Sequence, residues 1–351
     1  MKFDNMTTYT TESVLQGHPD KICDQISDAI LDAYLEEDKL CHTAIECMGC
    51  GDNLIIAGEV SQPNLIDIES VICQTYENIG FTNQLKITNL LNKQSSQLNN
   101  AIINGGAGDQ GVVYGYAVNN KFNFLPYGAY LSNEIAKAID KYRRTVNYLR
   151  PDGKVQLTIE YDRIKCLVIS VQHTDDVEND FIEHEISTNV LVPFLDNADI
   201  DIQINKNSNF INGGFINDTG LTGRKIMVDT YGGLIPHGGG AFSGKDPSKI
   251  DRSAAYMARF VAKNIVANGF ALECKIAIAY TFGEETPVMV SVFTEKGVAS
   301  PKLVNFIKHH FDFRPLAIIE RLGLRDIKYL PTSTYGHFSN SHYNWERLIS
   351  L

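Results

Sequence analysis

The chain reads as an α+β protein in which strands come in pairs with helices between them, the pattern recurring about three times. Three observations lead there. Apolar residues recur at the 3.6-residue period in some stretches, alternate or run in short blocks in others, and the blocks are separated by Gly, Asn, Asp and Pro. Together they predict layers of mixed sheet with helices on one face. A chain of 351 residues leaves room for roughly two or three domains and a sizeable core.

The opening "MKFDNMTTYTTESV" has no apolar centre of the kind a secretory signal needs and reads as a short leader. A helix is expected over Pro19–Leu35, with Ile22, Ile26, Ala29, Ile30 and Ala33 on one stripe and Asp24, Asp28 and Asp32 elsewhere. Pro19 suits the first helical turn, and Asp20 suits the positive end of the helix dipole. "HTAIECM" and "NLIIAGEVS" follow as strands joined through Gly49 and Gly51, and a second helix over 65–80 closes the unit.

From Asn83 to Ala107 the chain is rich in Asn, Gln and Ser and is expected to be a loop, either a link or a mobile lid. Strands resume at "GVVYGYAV", a helix is expected near Tyr130–Arg144, and "KVQLTIEY" and "IKCLVISVQH" alternate as strands. A helix after Glu178 leads to "DIQINKN". Last come "GRKIMVDTY", a glycine-rich stretch, a long helix over Pro247–Asn268, and the strands "CKIAIAYTF" and "PVMVSVF". The polar loop and Gly213–Gly214 are the natural cuts. They give an N-terminal domain over 1–97, a central one over 98–212 that opens with the lid loop 94–107, and a C-terminal one over 213–351.

Composition narrows the function. Against 31 basic residues stand 42 acidic ones, for a net charge of −11, and no Lys/Arg block offers a duplex-binding patch. No apolar run approaches the ~20 residues of a membrane span. Seven cysteines, an odd number, suit reduced thiols in a cytoplasm. Cys47 and Cys50 form a C-x-x-C beside Cys41 and His42, but no second pair completes a zinc site, so buried strand cysteines are the better reading.

An anionic small ligand remains, provided cations are gathered locally. Four stretches set Asp beside Lys on Pro- or Gly-pinned turns: "GHPDK" (His18, Asp20, Lys21), "RPDGK" (Asp152, Lys154), "NDTGLTGRK" (Asp218, Arg224, Lys225) and "FSGKDPSKID" (Lys245, Lys249, Asp251). Any one alone reads as a solvated turn. Their recurrence in an acidic protein points to a magnesium–phosphate ligand. "GGAFSGKD" nearly spells a P-loop, yet Asp246 stands where Ser or Thr is required and Pro247 follows. Lys245 can still grip a phosphate, but a P-loop fold does not follow.

Taken together, "TTESVLQGHPDKICDQISDAILDA", "GAGDQG", "GLTGRKIMVDTYGG", "HGGGAFSGKDPSKIDRSAAY" and "YGHFSNSHYNWE" resemble the S-adenosylmethionine synthetase (methionine adenosyltransferase) family. The resemblance covers essentially the whole chain. It implies three similar α+β domains about a pseudo-threefold axis. It further implies a cytoplasmic transferase of one-carbon metabolism, with active sites shared within a homodimer and often a homotetramer. ATP and L-methionine would be joined by attack of the sulfur on C5′, and the displaced tripolyphosphate hydrolysed to pyrophosphate and phosphate.

By motif, the resemblance puts His18 on the triphosphate, a pair of magnesium ions on Asp20 and Asp251, and potassium on Glu46. Methionine falls to Glu59, Gln94 and Asp109. The ATP phosphates and ribose region fall to Lys154, Arg224, Lys225 and Lys245, with Asp152 beside them. Asp218 and Lys249 line the junction of the two substrates, Phe210 stacks on adenine, and Ala241 gives a backbone contact. Catalysis would rest on His18, Lys154, Arg224, Lys245 and Lys249.

Three departures from the family pattern stand out. The lid segment is shorter and its tip "QLNNAIIN" lacks charge, Asn209 occupies a position where many relatives carry Arg, and the chain stops soon after Trp345. Competing readings are a magnesium-dependent P-loop-like kinase or ATPase using Lys245, and a non-catalytic regulatory subunit of the same fold.

Overall fold

A computed structural model describes residues 8–95, 105–195, 199–206 and 209–351. The first third carries β1 (Thr8–Val14), α1 (Pro19–Glu37), β2 (Thr43–Cys50), β3 (Asn53–Val60), α2 (Ile68–Ile79) and β4 (Lys86–Lys93). Next come β5 (Gly111–Val118), α3 (Tyr127–Arg143), β6 (Leu149–Glu160), β7 (Arg163–His173), α4 (Asn179–Ile186) and β8 (Asp201–Ile204). The last part holds β9 (Gly220–Leu221), α5 (Ile226–Asp229), α6 (Ile250–Ala267), β10 (Glu273–Tyr280), β11 (Met289–Thr294), β12 (Gly297–Val298), α7 (Pro301–His310) and α8 (Pro315–Leu322).

The described strands form three four-stranded mixed or antiparallel sheets, ordered β4-β3-β2-β9, β1-β6-β7-β8 and β12-β11-β10-β5. Each is built around a local antiparallel hairpin: β2–β3, β6–β7 and β10–β11. In the first two, a helix then crosses over to a parallel edge strand, β3 through α2 to β4 and β7 through α4 to β8. Each sheet also takes one antiparallel strand from a distant part of the chain. β9 joins β2, β1 joins β6, and β5 joins β10. The exchange is cyclic, so no sheet lies within one interval of sequence.

Helices cover one face of each sheet, as expected. On β2 the alternation buries Thr43, Ile45, Cys47 and Gly49 and turns Glu46, Met48 and Cys50 outward. Cys47 and Cys50 therefore point to opposite faces of the strand. Gly49 has no room for a side chain, since a Cβ there would sit 2.3 Å from the Phe215 ring. The first and third sheets share one apolar core that includes Ile22, Ile56, Tyr256, Ile276 and Trp345, while the second has its own around Leu15, Ile135, Leu157 and Ile169.

Several expectations need correction. The leader is not a loop over Thr8–Val14: it is an edge strand paired along its whole length with β6. The polar stretch after Asn83 is not all loop either, because Lys86–Lys93 adds to β3 in parallel register. Its side chains are mostly exposed, so the ladder with β3, and not an apolar pattern, makes it a strand. The tip of the expected lid, 96–104, lies outside the described residues. "GRKIMVDTY" contains the short helix α5, and α7 and α8 follow the last strands without having been foreseen. Most consequential, the aspartates of α1 are not a solvated face: Asp20, Asp24, Asp28 and Asp32 are all buried.

Candidate active site

Gly17 opens the site. A Cβ there would lie 2.4 Å from the Pro151 carbonyl carbon, and Gly17 N donates to Pro151 O at 3.0 Å. The start of α1 is thereby pressed onto "RPDGK" of β6, with Lys154 opposite Val14 in the ladder. His18 caps the helix, its Nδ1 accepting from Asp20 N at 3.2 Å. Asp20 Oδ1 accepts from Leu221 N at 3.0 Å, and Oδ2 from Lys225 Nζ at 2.6 Å. Arg224 Nε stands 3.5 Å from Asp20 Oδ1, with half its side chain exposed. Two of the four Asp/Lys stretches thus meet at one carboxylate, and a third lies alongside, its Lys154 charge acting on His18.

The electrostatics follow from this crowding. Burial, then the Lys225 charge, with Lys154 and Lys21 adding to it, press His18 down to about 3 against the pull of Asp20. The imidazole is therefore neutral and a hydrogen-bonding group. Burial alone would raise the Asp20 carboxyl, but the Lys225 ammonium and the Leu221 N–H hold it below its ordinary value. Asp152 goes the other way. It is buried, accepts from Gly214 N at 2.8 Å, and burial pushes it up to about 6. Asp218 is exposed and accepts from Thr219 N at 2.8 Å, and Phe210 is half-buried, with its carbonyl taking the His173 N–H at 2.9 Å.

The fourth stretch forms its own group. Lys245 Nζ meets Asp251 Oδ2 at 2.6 Å in the first turn of α6, and Lys249 Nζ meets Asp246 Oδ2 at 3.0 Å. Gly240 lies against Asp251, where a Cβ would fall 2.1 Å from the carboxyl carbon. Ala241 touches Gly223, which links this loop to the one bearing Arg224 and Lys225. Among the described residues, no hydrogen bond or ion pair joins the Asp20 group directly to the Lys245–Asp251 group.

Asp246 answers why the near P-loop fails. It is buried, with Oδ2 accepting from Thr43 N at 2.9 Å and Oδ1 from Ser248 N at 2.8 Å. Burial opposes its charge, yet Lys249 and His42 overcome it and keep the carboxyl far below its usual range. It fastens the loop to β2 and is not free to act as a P-loop hydroxyl would.

Among the described residues, those expected to hold methionine and potassium make no side-chain bond to these groups, although β2 bridges to Lys245 at Ala44. Glu46 and Glu59 are exposed on the outer face of the first sheet, where Glu59 stands opposite Ala44. Gln94 follows β4, with its N–H donating to Val60 O at 2.9 Å. Its side-chain amide is buried, and both polar atoms lack a partner among the described residues. Asp109 is exposed ahead of β5, on the third sheet, and accepts from Gln110 N at 2.7 Å.

Sequence reading missed the row beneath the site. Asp24 Oδ1 accepts from Gly223 N at 2.8 Å, and Asp28 Oδ1 from Gly244 N at 2.8 Å. Asp32 accepts from Tyr329 N at 2.7 Å and Leu330 N at 2.9 Å. With Asp20 they form a ladder at four-residue spacing, each rung holding main chain from the C-terminal part. Lys21 sits between Asp24, at 2.9 Å, and Asp229; the two carboxylates outweigh burial and keep its ammonium charged. The four-residue spacing was the available signal.

Among the described residues, no three of His, Cys, Asp and Glu gather as a ready-made cage for a cation. Asp20 and Asp251 each stand singly against a lysine. That donor set fits magnesium, which takes one or two carboxylates and completes its shell with water and phosphate oxygens. No described helix is long and apolar enough to cross a membrane.

Three family models match in succession. They are the S-adenosylmethionine synthetase N-terminal domain over 6–104, its central domain over 104–214 and its C-terminal domain over 212–347. S-adenosylmethionine synthases from two strains of Staphylococcus epidermidis are each 41% identical over 383 aligned positions, covering 98% of this chain and 96% of the relative. The alignment is longer than this 351-residue chain, so the relatives carry insertions absent here. Enzymes of this family work with metal ions and use ATP and methionine. The chain belongs to the S-adenosylmethionine synthetase family, and it is a transferase that makes S-adenosylmethionine.

Proposed function

We propose that the Asp20 group grips the triphosphate of ATP while the methionine sulfur attacks C5′. The observation that carries this reading is the gathering of Arg224 and Lys225 on Asp20 at a helix start, with the Lys225 and Lys154 charges acting on the adjoining His18. The attacking thioether has no proton to lose, so no general base is required. The C5′–oxygen bond breaks, the sulfur becomes a sulfonium, and the bond electrons leave with the triphosphate. Alignment and cationic stabilisation of that leaving group are what the site must supply. The same cations then hold the retained tripolyphosphate for hydrolysis to pyrophosphate and phosphate.

Lys245 and Asp251 complete the phosphate side, with Asp152 holding the 214 turn and Asp218 and Lys249 at the junction of the substrates. Phe210 stacks on adenine and Ala241 offers its backbone. Glu59, Gln94 and Asp109 receive methionine, for which the unpartnered Gln94 amide offers both a donor and an acceptor. Magnesium held by Asp20 and Asp251 would add Lewis-acid charge on the phosphates, and potassium would sit at Glu46. The free cysteines, several of them buried, suit a reducing cytoplasm.

The working unit is a homodimer with shared sites, paired further into a tetramer. Sharing follows the family pattern, and among the described residues no direct bond ties the Asp20 group to the Lys245 group. Phosphorus NMR of a completed reaction tests the chemistry: pyrophosphate and orthophosphate are expected, and ADP or methionine-independent ATP consumption would overturn it. Mixing inactive Asp20 and Lys245 variants tests the sharing. Partial recovery after subunit exchange is expected, and none after demonstrated exchange would refute it.

A further inference from the structure

We propose that Asp246 is a positioning residue for Lys249, fixing its ammonium toward the methionine side of the reaction. The inference rests on placing Lys249 at the junction of the two substrates. Lys249 is the residue before α6 and has a flexible four-carbon stem, so its ammonium needs a fixed partner to act as a defined point charge. Asp246 supplies one. Its side chain is immobilised from several directions: Thr43 N at 2.9 Å on Oδ2, Ser248 N at 2.8 Å on Oδ1, and His42 Nδ1 at 3.5 Å from Oδ1. His42 is in turn held by the Ser248 hydroxyl at 3.2 Å. Lys249 Nζ then takes Oδ2 at 3.0 Å, and Lys249 N donates to Asp246 O at 3.0 Å.

The geometry separates the two lysines of the stretch. Lys245 pairs with Asp251, a partly exposed carboxylate that sits where metal and phosphate would. Lys249 pairs with a buried carboxylate anchored to β2 at Thr43, one residue from Ala44, the cross-strand neighbour of Glu59. Losing Asp246 should therefore affect methionine far more than ATP.

A double-mutant cycle with Lys249→Met and Asp246→Asn tests this. A charge-assisted hydrogen bond predicts that Asp246→Asn lowers kcat/KM for methionine by about ten- to hundredfold. KM for ATP should change by less than about threefold. In the Lys249→Met background the same change should cost less than about twofold. Equal losses in both backgrounds would make Asp246 a structural residue and overturn the inference. Wild-type kinetics for Lys249→Met would instead overturn the placement of Lys249 itself. Should the Asn variant not fold, Asp246→Glu keeps the charge, moves the carboxylate by one methylene and carries the same cycle.

Discussion

The Asp28 carboxylate receives both terminal nitrogens of Arg252 at 2.7 Å, with the two side chains completely buried. Every donor of the guanidinium is used: Nε reaches Tyr256 Oη at 3.1 Å, Nη1 also Lys245 O at 3.1 Å, and Nη2 also Thr332 Oγ1 at 3.1 Å. The pair ties α1 to α6 directly under the Lys245 loop. Arg252→Met leaves Asp28 buried without its countercharge and is expected to destabilise by about 3–5 kcal/mol. Urea denaturation checks it, and a midpoint equal to wild type would contradict the role.

Asp251→Asn should impair catalysis much more than folding. Its carboxylate is partly exposed and among the described residues is hydrogen-bonded by Lys245 alone, so Asn keeps the shape and loses the charge. A fall in kcat of about a hundredfold or more is expected, the scale of one lost electrostatic contact at a reacting centre. Thermal unfolding should move little. Wild-type turnover at ordinary magnesium would remove Asp251 from the site.

Gly240→Ala should act through Asp251. The new methyl would lie within 2.1–2.5 Å of the carboxyl atoms, so the side chain must swing away and break its contact with Lys245. Activity should fall by about tenfold or more, since a shift of an ångström in positioning costs that much. A variant as active as wild type would show that the carboxylate needs no fixed position.

Asp32 gives a pH signature. Burial raises its carboxyl to about 6, although the Tyr329 and Leu330 N–H groups favour the charge. Between pH ~4 and ~6 the folded protein holds a proton that the unfolded chain has released, so stability falls as pH rises through that window. Asp32→Asn removes the effect. The stability of wild type relative to the variant should drop by about 3 kcal/mol between pH 4 and pH 7, two pH units at about 1.4 kcal/mol each. Urea titrations of both proteins that give a constant difference would contradict it.

Much of the molecule was legible in the sequence because it rests on local chemistry. The amphipathic period marked α1 and α6, alternation marked β2, β3, β6 and β7, and the Gly- or Pro-pinned Asp/Lys stretches marked two groups that meet at Asp20 and a third whose Lys154 acts on His18. What escaped depends on distant partners. Thr8–Val14 and Lys86–Lys93 lack an apolar pattern, and become strands through ladders to Leu149–Glu160 and Asn53–Val60.

Helices and hairpins could be read from the residues alone, since they depend on neighbours three or four positions away. The tertiary structure decided the fate of the aspartates. On α1 the pattern put Asp24, Asp28 and Asp32 off the apolar stripe, where in an isolated helix they would meet water. Folding covered them with the main chain of the 220s, 240s and 330s, whose N–H groups need acceptors once buried. Asp246 changed in the same way, from a flawed P-loop position to a buried anchor for Lys249. A carboxylate's role is set by the donors that reach it, and those donors lie about two hundred residues away along the chain.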